Sequence, residues 1–572
     1  MTIIAARRMS QIFFGGLFLW FCVVMEIGDA FWELRGWPVN WLLQLDPLVG
    51  LGSVLATGVL HQGLMWGLVT LTLTILFGRF FCGWICPFGT LHQVIGYSAH
   101  RRKSLSQKVR LNRYHPLQRL KYLFLFFFLG AATGSLQTGL LDPIPFLHRS
   151  VNLIVLPLLG TVGAGYYQSA LSIGIPFLLS LGLNAMIPRF YCRFVCPLGA
   201  LMGLAAFLSI WRMGKKTETC PDCMHCESLC EGACNPSGKF RVGECVLCMN
   251  CRPACEYALV AFQPAPSAAG EMPLPEVSRR QFGVALLTGV ALIPIQRLGG
   301  SLGANWNPRK VRPPGALAEK AFLDRCIKCG QCMRICPTNV IQPSAWGSGL
   351  EDLWTPVLNF RIGTSGCQLN CIACGHVCPT GAIRPLALDR KLGRDEYRES
   401  GPIRIGLAFV DRGRCLPWAM NRPCIVCQEN CPVSPKAIQT EEVYSRIADI
   451  PPLQVVSMEG SVLRVHGEEL EDRRLGGGDY FCRVISSPAA TPRPIMGNDA
   501  GSLTMGPDAP VMATLPTGGQ VEILIRLQRP WVEPSRCIGC GICEHECPVA
   551  GERAIRITAE NETREQEHSL LL

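Results

Sequence analysis

Four cysteine groups between Cys326 and Cys547 constrain this chain more than anything else in it. They read Cys326-x2-Cys329-x2-Cys332-x3-Cys336-Pro, Cys367-x3-Cys371-x2-Cys374-x3-Cys378-Pro, Cys415-x8-Cys424-x2-Cys427-x3-Cys431-Pro and Cys537-x2-Cys540-x2-Cys543-x3-Cys547-Pro. A cubane iron–sulfur cluster needs three thiolates converging from one tight loop and a fourth from elsewhere. Cys-x2-Cys-x2-Cys supplies the three, and the cysteine before proline ordinarily ligates a neighbouring cluster. One such run would also fit a zinc site. Four in series, each ending in Cys-Pro, point to clusters and to an electron wire.

Composition removes the rival classes. A chain of 572 residues with 31 cysteines exceeds one domain,. Gaps of two and three residues make poor disulfides and good metal loops, so a secreted disulfide scaffold is excluded. The net charge of +11 does not imply nucleic acid, because the basic residues gather in loops beside apolar windows, as membrane topology requires.

Those windows are Ile12–Ile27, Leu60–Phe81, Tyr122–Leu140 and Ala170–Ile187, each near the ~20 residues of a spanning helix. Arg7 and Arg8 precede the first. Arg101, Arg102, Lys103, Lys108, Arg110, Arg113, Arg119 and Lys121 separate the second from the third with no acidic residue among them, whereas Asp29, Glu33 and Asp46 follow the first. The N-terminus, the basic loop and the chain after Lys215 are therefore expected in the cytoplasm. Val151–Tyr167, also apolar but broken by Pro157, reads as interfacial or re-entrant.

This part of the chain carries a duplication. Phe81-Cys82-Gly83-Trp84-Ile85-Cys86-Pro87-Phe88-Gly89 matches Tyr191-Cys192-Arg193-Phe194-Val195-Cys196-Pro197-Leu198-Gly199. Cysteines four apart share a helix face and the proline stops the helix behind them. Cys82, Cys86, Cys192 and Cys196 are candidates for a four-thiolate metal or cluster site or for redox disulfides; the plain alternative is that they merely pack. Next come Cys220-x2-Cys223-x2-Cys226-x3-Cys230 and Cys245-x2-Cys248-x2-Cys251-x3-Cys255, the two-cluster ferredoxin arrangement, with the fourth cysteine of each run expected to serve the other's cluster,. Glu231 and Glu256 replace the usual prolines, and Cys234 rivals Cys230 as a ligand.

After a Pro/Ala-rich linker, Ser278-Arg279-Arg280-Gln281-Phe282 precedes the weakly apolar Gly283–Ile295. The layout is that of a twin-arginine signal placed mid-chain; a plain fifth span or a buried helix are the alternatives. Either membrane reading carries the following cysteine groups outside the cytoplasmic membrane. Between the third and fourth groups lie 105 residues, against 30 and 36 in the earlier gaps. Alternating stretches such as Leu453–Met458 and Val521–Leu527 mark a β-rich insertion at about 440–530. Gly476–Gly478 is no phosphate loop.

Through its four windows, the motifs at 82–87 and 192–197 and the runs at 220–255, the first part of the chain resembles the NapH family of quinol-dehydrogenase membrane subunits, whose relatives include MauN. From Arg279 onward it resembles NapG, a twin-arginine-exported four-cluster ferredoxin. The resemblance implies a NapH–NapG fusion: an integral-membrane electron-transfer component carrying electrons from the quinol pool to a periplasmic reductase or cytochrome, as in nitrate or nitrous-oxide respiration. It implies six 4Fe–4S clusters, two at 220–255 and four at 326–547. The expected fold is multidomain: an α-helical transmembrane bundle at 1–213, a two-cluster ferredoxin domain (α+β) at 214–264, a linker and anchor helix at 265–304, and a four-cluster ferredoxin-type domain at 305–572. The resemblance further implies nested ligation. Cys326, Cys329 and Cys332 would take Cys547, and Cys537, Cys540 and Cys543 would take Cys336. Cys367, Cys371 and Cys374 would take Cys431, and Cys415, Cys424 and Cys427 would take Cys378. A maturation or regulatory factor for a periplasmic metalloenzyme is the alternative function.

No Ser-His-Asp set, Rossmann fingerprint or Walker loop is present. A quinol site needs a proton acceptor, for which His61, His92, His115, His148, Glu26 and Asp142 lie near window ends,. Trp32, Trp37 and Trp41 read as an interface belt. Cys22 and Cys482 fall outside every group, Cys22 as a small apolar residue in a span. One difficulty follows from the topology: ~30 Å of hydrocarbon would separate the two-cluster runs from the other four groups, a gap that only a bridging quinone or a metal at Cys82, Cys86, Cys192 and Cys196 would close.

Overall fold

The computed structural model describes residues 2–27, 38–160, 166–273, 278–293, 309–345, 349–467, 470–486, 491–506 and 518–565, with Glu26 and Ile27 as backbone only. Trp32 and Trp37 lie outside these residues, as does the side chain of Glu26. The chain divides into two compact units. One holds residues up to Asn359, Asn370–Ile403 and a short segment beginning at Thr563; the other holds Phe360–Leu369 and Arg404–Glu562.

Helices dominate the first unit: α1 (Ile3–Ile27), α2 (Pro47–Thr57), α3 (Trp66–Phe77), α4 (Pro87–His100), α5 (Leu120–Ala131), α6 (Pro143–Ser150), α7 (Ala170–Met186), α8 (Pro197–Ala205) and α9 (Arg279–Ala291). Among the described residues only α1 is long and apolar enough to cross a membrane, over the 23 residues Ile3–Met25. The other three windows form α3, α5 and α7, of 12, 12 and 17 residues, shorter than four full spans require. Local chemistry shortens them. α3 begins after a 3-10 turn at Gln62–Met65 and stops at Gly78, whose φ is +78°. α5 runs out into turns that follow Gly130, and Pro188 lies just beyond α7. α6 continues through a π-helical turn at Val151–Val155 to Leu158.

Two of the helices, α3 and α7, turn large apolar side chains outward. On α3 the buried residues are Gly67, Thr70 and Thr74, while Trp66, Leu68 and Val69 are exposed. α7 buries Ile173, Gly174, Phe177, Ser180 and Asn184 and exposes Leu171, Ile175, Leu178 and Leu179. Inside sits one apolar core that includes Leu42, Phe88, Phe146, Phe177 and Tyr191; Cys22, Cys86, Cys196 and Cys329 all belong to it. α9, capped by Ser278 onto Gln281, lies parallel to α5. Phe282 meets Phe126 at 4.4 Å. A Cβ on Gly130 would stand 2.3 Å from the Leu286 carbonyl, and one on Gly289 would stand 2.1 Å from that of Phe127. Only glycine permits so close a backbone approach.

At one end of these helices the antiparallel pair β1 (Trp211–Lys215) and β2 (Val260–Pro264) frames the 220–255 runs. At the other end Gly139, Arg149 and Leu153 pack on the loop Ile327–Gly330, which precedes the pair β3 (Ile341–Pro343) and β4 (Pro356–Leu358).

In the second unit β5 (Leu407–Val410) pairs with β13 (Ile555–Thr558). The insertion is a seven-stranded antiparallel sheet of β6 (Ile438–Arg446), β7 (Leu453–Glu459), β8 (Val462–His466), β9 (Tyr480–Val484), β10 (Arg493–Asp499), β11 (Ser502–Met505) and β12 (Gln520–Val532), in the order β6-β12-β7-β8-β11-β10-β9. Because β12 also pairs with β9, six strands close on themselves around Leu453, Leu463, Leu475, Ile495, Leu503 and Ile523, with Cys482 in that core. β6 and β12 run together from Ile438↔Val532 to Arg446↔Leu524, so the two ends of the insertion leave the sheet side by side.

Candidate iron–sulfur and redox centres

Each regular Cys-x2-Cys-x2-Cys run is shaped by two residues of left-handed backbone at the same two places: Asp222 and Met224, Leu247 and Met249, Lys328 and Gly330, Gly539 and Gly541. Alternating the backbone hand turns three thiols toward one centre; for a non-glycine residue the cost is ~1 kcal/mol each. In the last run glycine is also required by space, since a Cβ on Gly541 would overlap the ring of Phe360.

The loops gather cysteines into cages. Cys326, Cys329 and Cys332 line one cavity with Cys378. Cys415, Cys424 and Cys427 line a second with Cys547, and Cys537, Cys540 and Cys543 line a third with Cys431. The nested pairing expected from the resemblance is therefore replaced by pairing of neighbours: the first group with the second, the third with the fourth. The β6–β12 ladder explains the latter, because it returns the chain to within reach of Cys431 however long the insertion is. The wide x8 spacing does not remove Cys415 from its cage. Cys336, Cys371 and Cys374 lie in the first unit; Cys367 lies in the second, where its amide donates to the Cys540 carbonyl at 2.7 Å. Amides also donate to cage sulfurs, Ile383 to Cys378 and Ala408 to Cys537, both at 3.4 Å.

At 220–255 each run lies against cysteines of the other. The thiol of Cys226 stands beside Cys220 and Cys255, that of Cys251 beside Cys245, Cys248 and Cys230. Cys234 contacts both Cys230 and Cys245, so it shares the cage that Cys230 completes.

The duplicated motifs form one pseudo-symmetric site. Cys82 acts electrostatically on Cys86, Cys192 and Cys196. Cys86 Sγ accepts from Gly89 N at 3.4 Å at the start of α4, and Cys196 Sγ from Gly199 N at 3.1 Å at the start of α8. Among the described residues no three His, Cys, Asp or Glu side chains gather at single-ion distance. Three residues before each motif stands a buried arginine, Arg79 and Arg189. Each crosses to the other copy, Arg79 toward Gly199 and Arg189 toward Gly89. Each also grips one run of the 220–255 stretch. Arg79 Nη1 donates to Gly243 O at 2.8 Å, and Arg189 pairs with Glu231 at 2.8 Å. Glu231 thus departs from proline because it neutralises Arg189. Lys121 and Tyr122 both donate to Glu244 beside the second run.

Asp46 and Asp142, which the sequence reading took singly, form a second matched pair. Leu45-Asp46-Pro47 and Leu141-Asp142-Pro143 start α2 and α6; Asp46 accepts from Leu48 N at 2.9 Å and Asp142 from Ile144 N at 3.3 Å. Both carboxyls are fully buried and face each other, and burial with their mutual repulsion holds the pair's titration well above the ordinary carboxylate range,. Between this pair and the Cys192–Cys196 thiols stands Tyr191, whose hydroxyl donates to Leu141 O at 2.5 Å and whose ring stacks on Phe146 at 5.6 Å. Arg149 lies over Phe146 and donates to Lys328 O at 2.9 Å, beside Cys326 and Cys329.

Of the candidate proton acceptors, His115 is exposed and His61 half-buried, each capping a turn. His148 is buried with its ring on Phe18, and His92 is buried against Phe88. Trp41 packs on Phe14.

The 4Fe-4S binding domain family matches residues 61–106, 169–216 and 374–394, thus both copies of the duplication. Two further 4Fe-4S binding domain families match 322–342 and 528–549. The chain is a 4Fe–4S protein related to NapG and NosR. It is 36% identical over 169 residues to the ferredoxin-type protein NapG of Escherichia coli, covering 29% of this chain and 65% of NapG. It is 32% identical over 237 residues to the putative electron transport protein YccM of the same organism, covering 39% of this chain and 62% of YccM. The regulatory protein NosR of Pseudomonas aeruginosa is 27% identical over 192 residues, 33% of this chain and 25% of NosR. None of these alignments reaches two thirds of the relative's own length. No solved structure matches the chain.

Proposed function

We propose that this chain is a membrane-embedded iron–sulfur wire that takes electrons from quinol and delivers them to an acceptor beyond the cytoplasmic membrane. The observation that carries this reading is the single buried core holding Cys86 and Cys196 together with Cys329. Phe88, Phe146 and Tyr191 fill the space between, with Phe88 and Tyr191 5.0 Å apart. The ~30 Å of hydrocarbon that would isolate the two ends is pinched here to the depth of a few aromatic side chains.

The ligands are those of the cages: Cys220, Cys223, Cys226 and Cys255; Cys245, Cys248, Cys251 and Cys230; Cys326, Cys329, Cys332 and Cys378; Cys415, Cys424, Cys427 and Cys547; Cys537, Cys540, Cys543 and Cys431. Cys336, Cys371 and Cys374 serve a further cluster, making six. Cys82, Cys86, Cys192 and Cys196 form a redox site between the two ends, and Arg79 and Arg189 offset its thiolate charge. Bound clusters supply one-electron storage at tunable potential; the chain's part is to hold them, shape their hydrogen bonds and exclude water.

The outward apolar faces of α3 and α7 suit lipid, so the helices sit in the membrane as a thin, multi-pass bundle with the 220–255 domain in the cytoplasm. α9, running parallel to α5 and locked to it through glycine, carries the chain to the periplasmic side and stays as an anchor rather than a cleaved signal. Relatives named a ferredoxin-type protein, NapG, and a putative electron transport protein, YccM, support a role in nitrate- or nitrous-oxide-type respiration with a periplasmic reductase or cytochrome as acceptor. The likeness to NosR, named as regulatory, favours one second reading, a maturation or regulatory factor.

The test uses oxidised protein in lipid discs, mixed anaerobically with menaquinol while cluster absorbance is followed. Bleaching of clusters in both units at catalytic rates is expected. Intact clusters that do not bleach would leave the second reading.

A further inference from the structure

Beside the 220–255 runs, in the first unit, lies a cavity of about 610 Å³. Its inner wall carries residues with unsatisfied side-chain nitrogens, Arg7 and His92, beside Gln11 and Arg189, which are hydrogen-bonded to Gln93 and Glu231. Arg7 is 1% exposed, and neither its Nε nor its Nη1 makes a hydrogen bond; His92 is fully buried, and neither ring nitrogen makes one. Gln11 and Arg189 stand on the same wall. Buried donors left unsatisfied are expensive, and here they stand just behind the wall of a space large enough for a small ring compound,. The rim is different in kind. Ile12, Val94 and Tyr97 are all more than half exposed, an apolar lip beside the lipid-suited helix α1, and the exposed Arg8 and Arg101 stand at the same mouth. Leu229 and Asn250 complete the wall next to Cys230, Cys248 and Cys251, and both Arg7 and Arg189 act electrostatically on Cys248.

We infer that this cavity is a binding site for a lipid-soluble hydroquinone, oriented by Arg7, Gln11 and Arg189, with His92 as the acceptor of one of its protons. The inference rests on the quinol reading above and gives it a place. An apolar rim admits an isoprenoid tail, while the inner donors suit the two ring oxygens. Adjacency to Cys230 and Cys248 gives the site a use that a phospholipid headgroup would not have. In the step, both O–H bonds of the hydroquinone break and the ring is oxidised to quinone. Its two electrons reduce the two oxidised clusters of the 220–255 domain by one each. One proton goes to a ring nitrogen of His92 and the other to water at the open mouth. Burial holds the His92 imidazole down to about 4, so it is neutral before the step and sheds the proton it takes up.

The experiment uses the holoprotein in lipid discs with a photoreactive azidonaphthoquinone, followed by peptide mapping and by the bleaching assay. The label is expected on residues 3–12 and 87–100, displaced by excess menaquinol. His92→Phe is expected to slow quinol-driven bleaching by about 100-fold, with iron content and dithionite reduction unchanged. Val94→Trp, on the exposed rim where folding is not at stake, should block labelling. Labelling elsewhere, or quinol bleaching at the wild-type rate in both variants, overturns the site while leaving quinol as donor. Displacement of the label by anionic phospholipid but not by menaquinol overturns it in favour of a headgroup site. A wild-type protein that takes the label here yet never bleaches upholds the binding site and overturns the donor reading.

Discussion

The cysteine pair at 220–255 and the pair at 415–547 solve the same problem with very different lengths of chain. In the first, 14 residues separate Cys230 from Cys245; in the second, 105 separate Cys431 from Cys537. Both nevertheless send the last cysteine of one run into the cage of the other. The short version closes by a loop docked on helix ends, with Glu244 held by Lys121 and Gly83 against the Val246 carbonyl. The long version closes by the nine-residue β6–β12 ladder. Loop-closure entropy grows only slowly with length, so the ladder need only hold the ends together, and a whole closed sheet can sit on top of it.

The largest expected effects concern who pairs with whom. Cys378→Ser should remove the cluster of Cys326, Cys329 and Cys332, whereas Cys547→Ser should spare it and remove the cluster of Cys415, Cys424 and Cys427. Iron content and cluster electron-spin spectra check both, and the reverse pattern would restore nested ligation. Next comes the ladder. Leu527→Pro, opposite Val443 in mid-ladder, deletes a donor and opens the pairing. It should empty the two cages of the second unit and leave the 220–255 clusters in place. Replacing Ile447–Ile523 by an Asn-Gly turn, which joins Arg446 to Leu524 as a hairpin, should keep all of them. If the clusters vanish with the barrel, the sheet does more than close a loop.

The same contrast explains what the sequence could and could not reveal. Ligand triplets were legible because three thiols within seven residues are a local matter; even their left-handed positions recur at fixed offsets. Partnership was not legible, since it depends on which distant segments fold together. The β strands of the insertion showed in their alternation, but closure of β12 onto β9 leaves no local trace. Hydropathy marked the windows, yet not that Gly78 and the turns after Gly130 cut their helices short. The Asp46–Asp142 pair was hidden by register: these residues are 96 apart, whereas the matched cysteines are 110 apart. Arg79 and Arg189, also 110 apart, were within reach of the duplication had it been read three residues further back.

Glu231, where the short version departs from the usual proline, gives a smaller and sharper test. Glu231→Gln leaves the Arg189 guanidinium buried beside Cys192 without its partner. Breaking a buried pair from one side costs about 3–5 kcal/mol. Thermal unfolding of the first unit in discs should fall accordingly, while the long version, which has no such clamp among the described residues, keeps its transition.

The smallest effect separates the helical unit from the second by pH. Asp46 and Asp142 hold a proton in the folded chain at pH values where free carboxyls, titrating near pH 4, have lost theirs,. The folded state then binds more protons than the unfolded one, so stability falls as pH rises, by up to about 1.4 kcal/mol per unit for one shared proton. That loss begins just above the ordinary carboxylate range and ends where the pair finally ionises. Asp46→Asn removes the second charge and should flatten the slope of the first unit's melting temperature against pH, leaving that of the second unchanged. An unaltered slope in the variant would mean that the two carboxyls do not share a proton and that each is simply a helix cap.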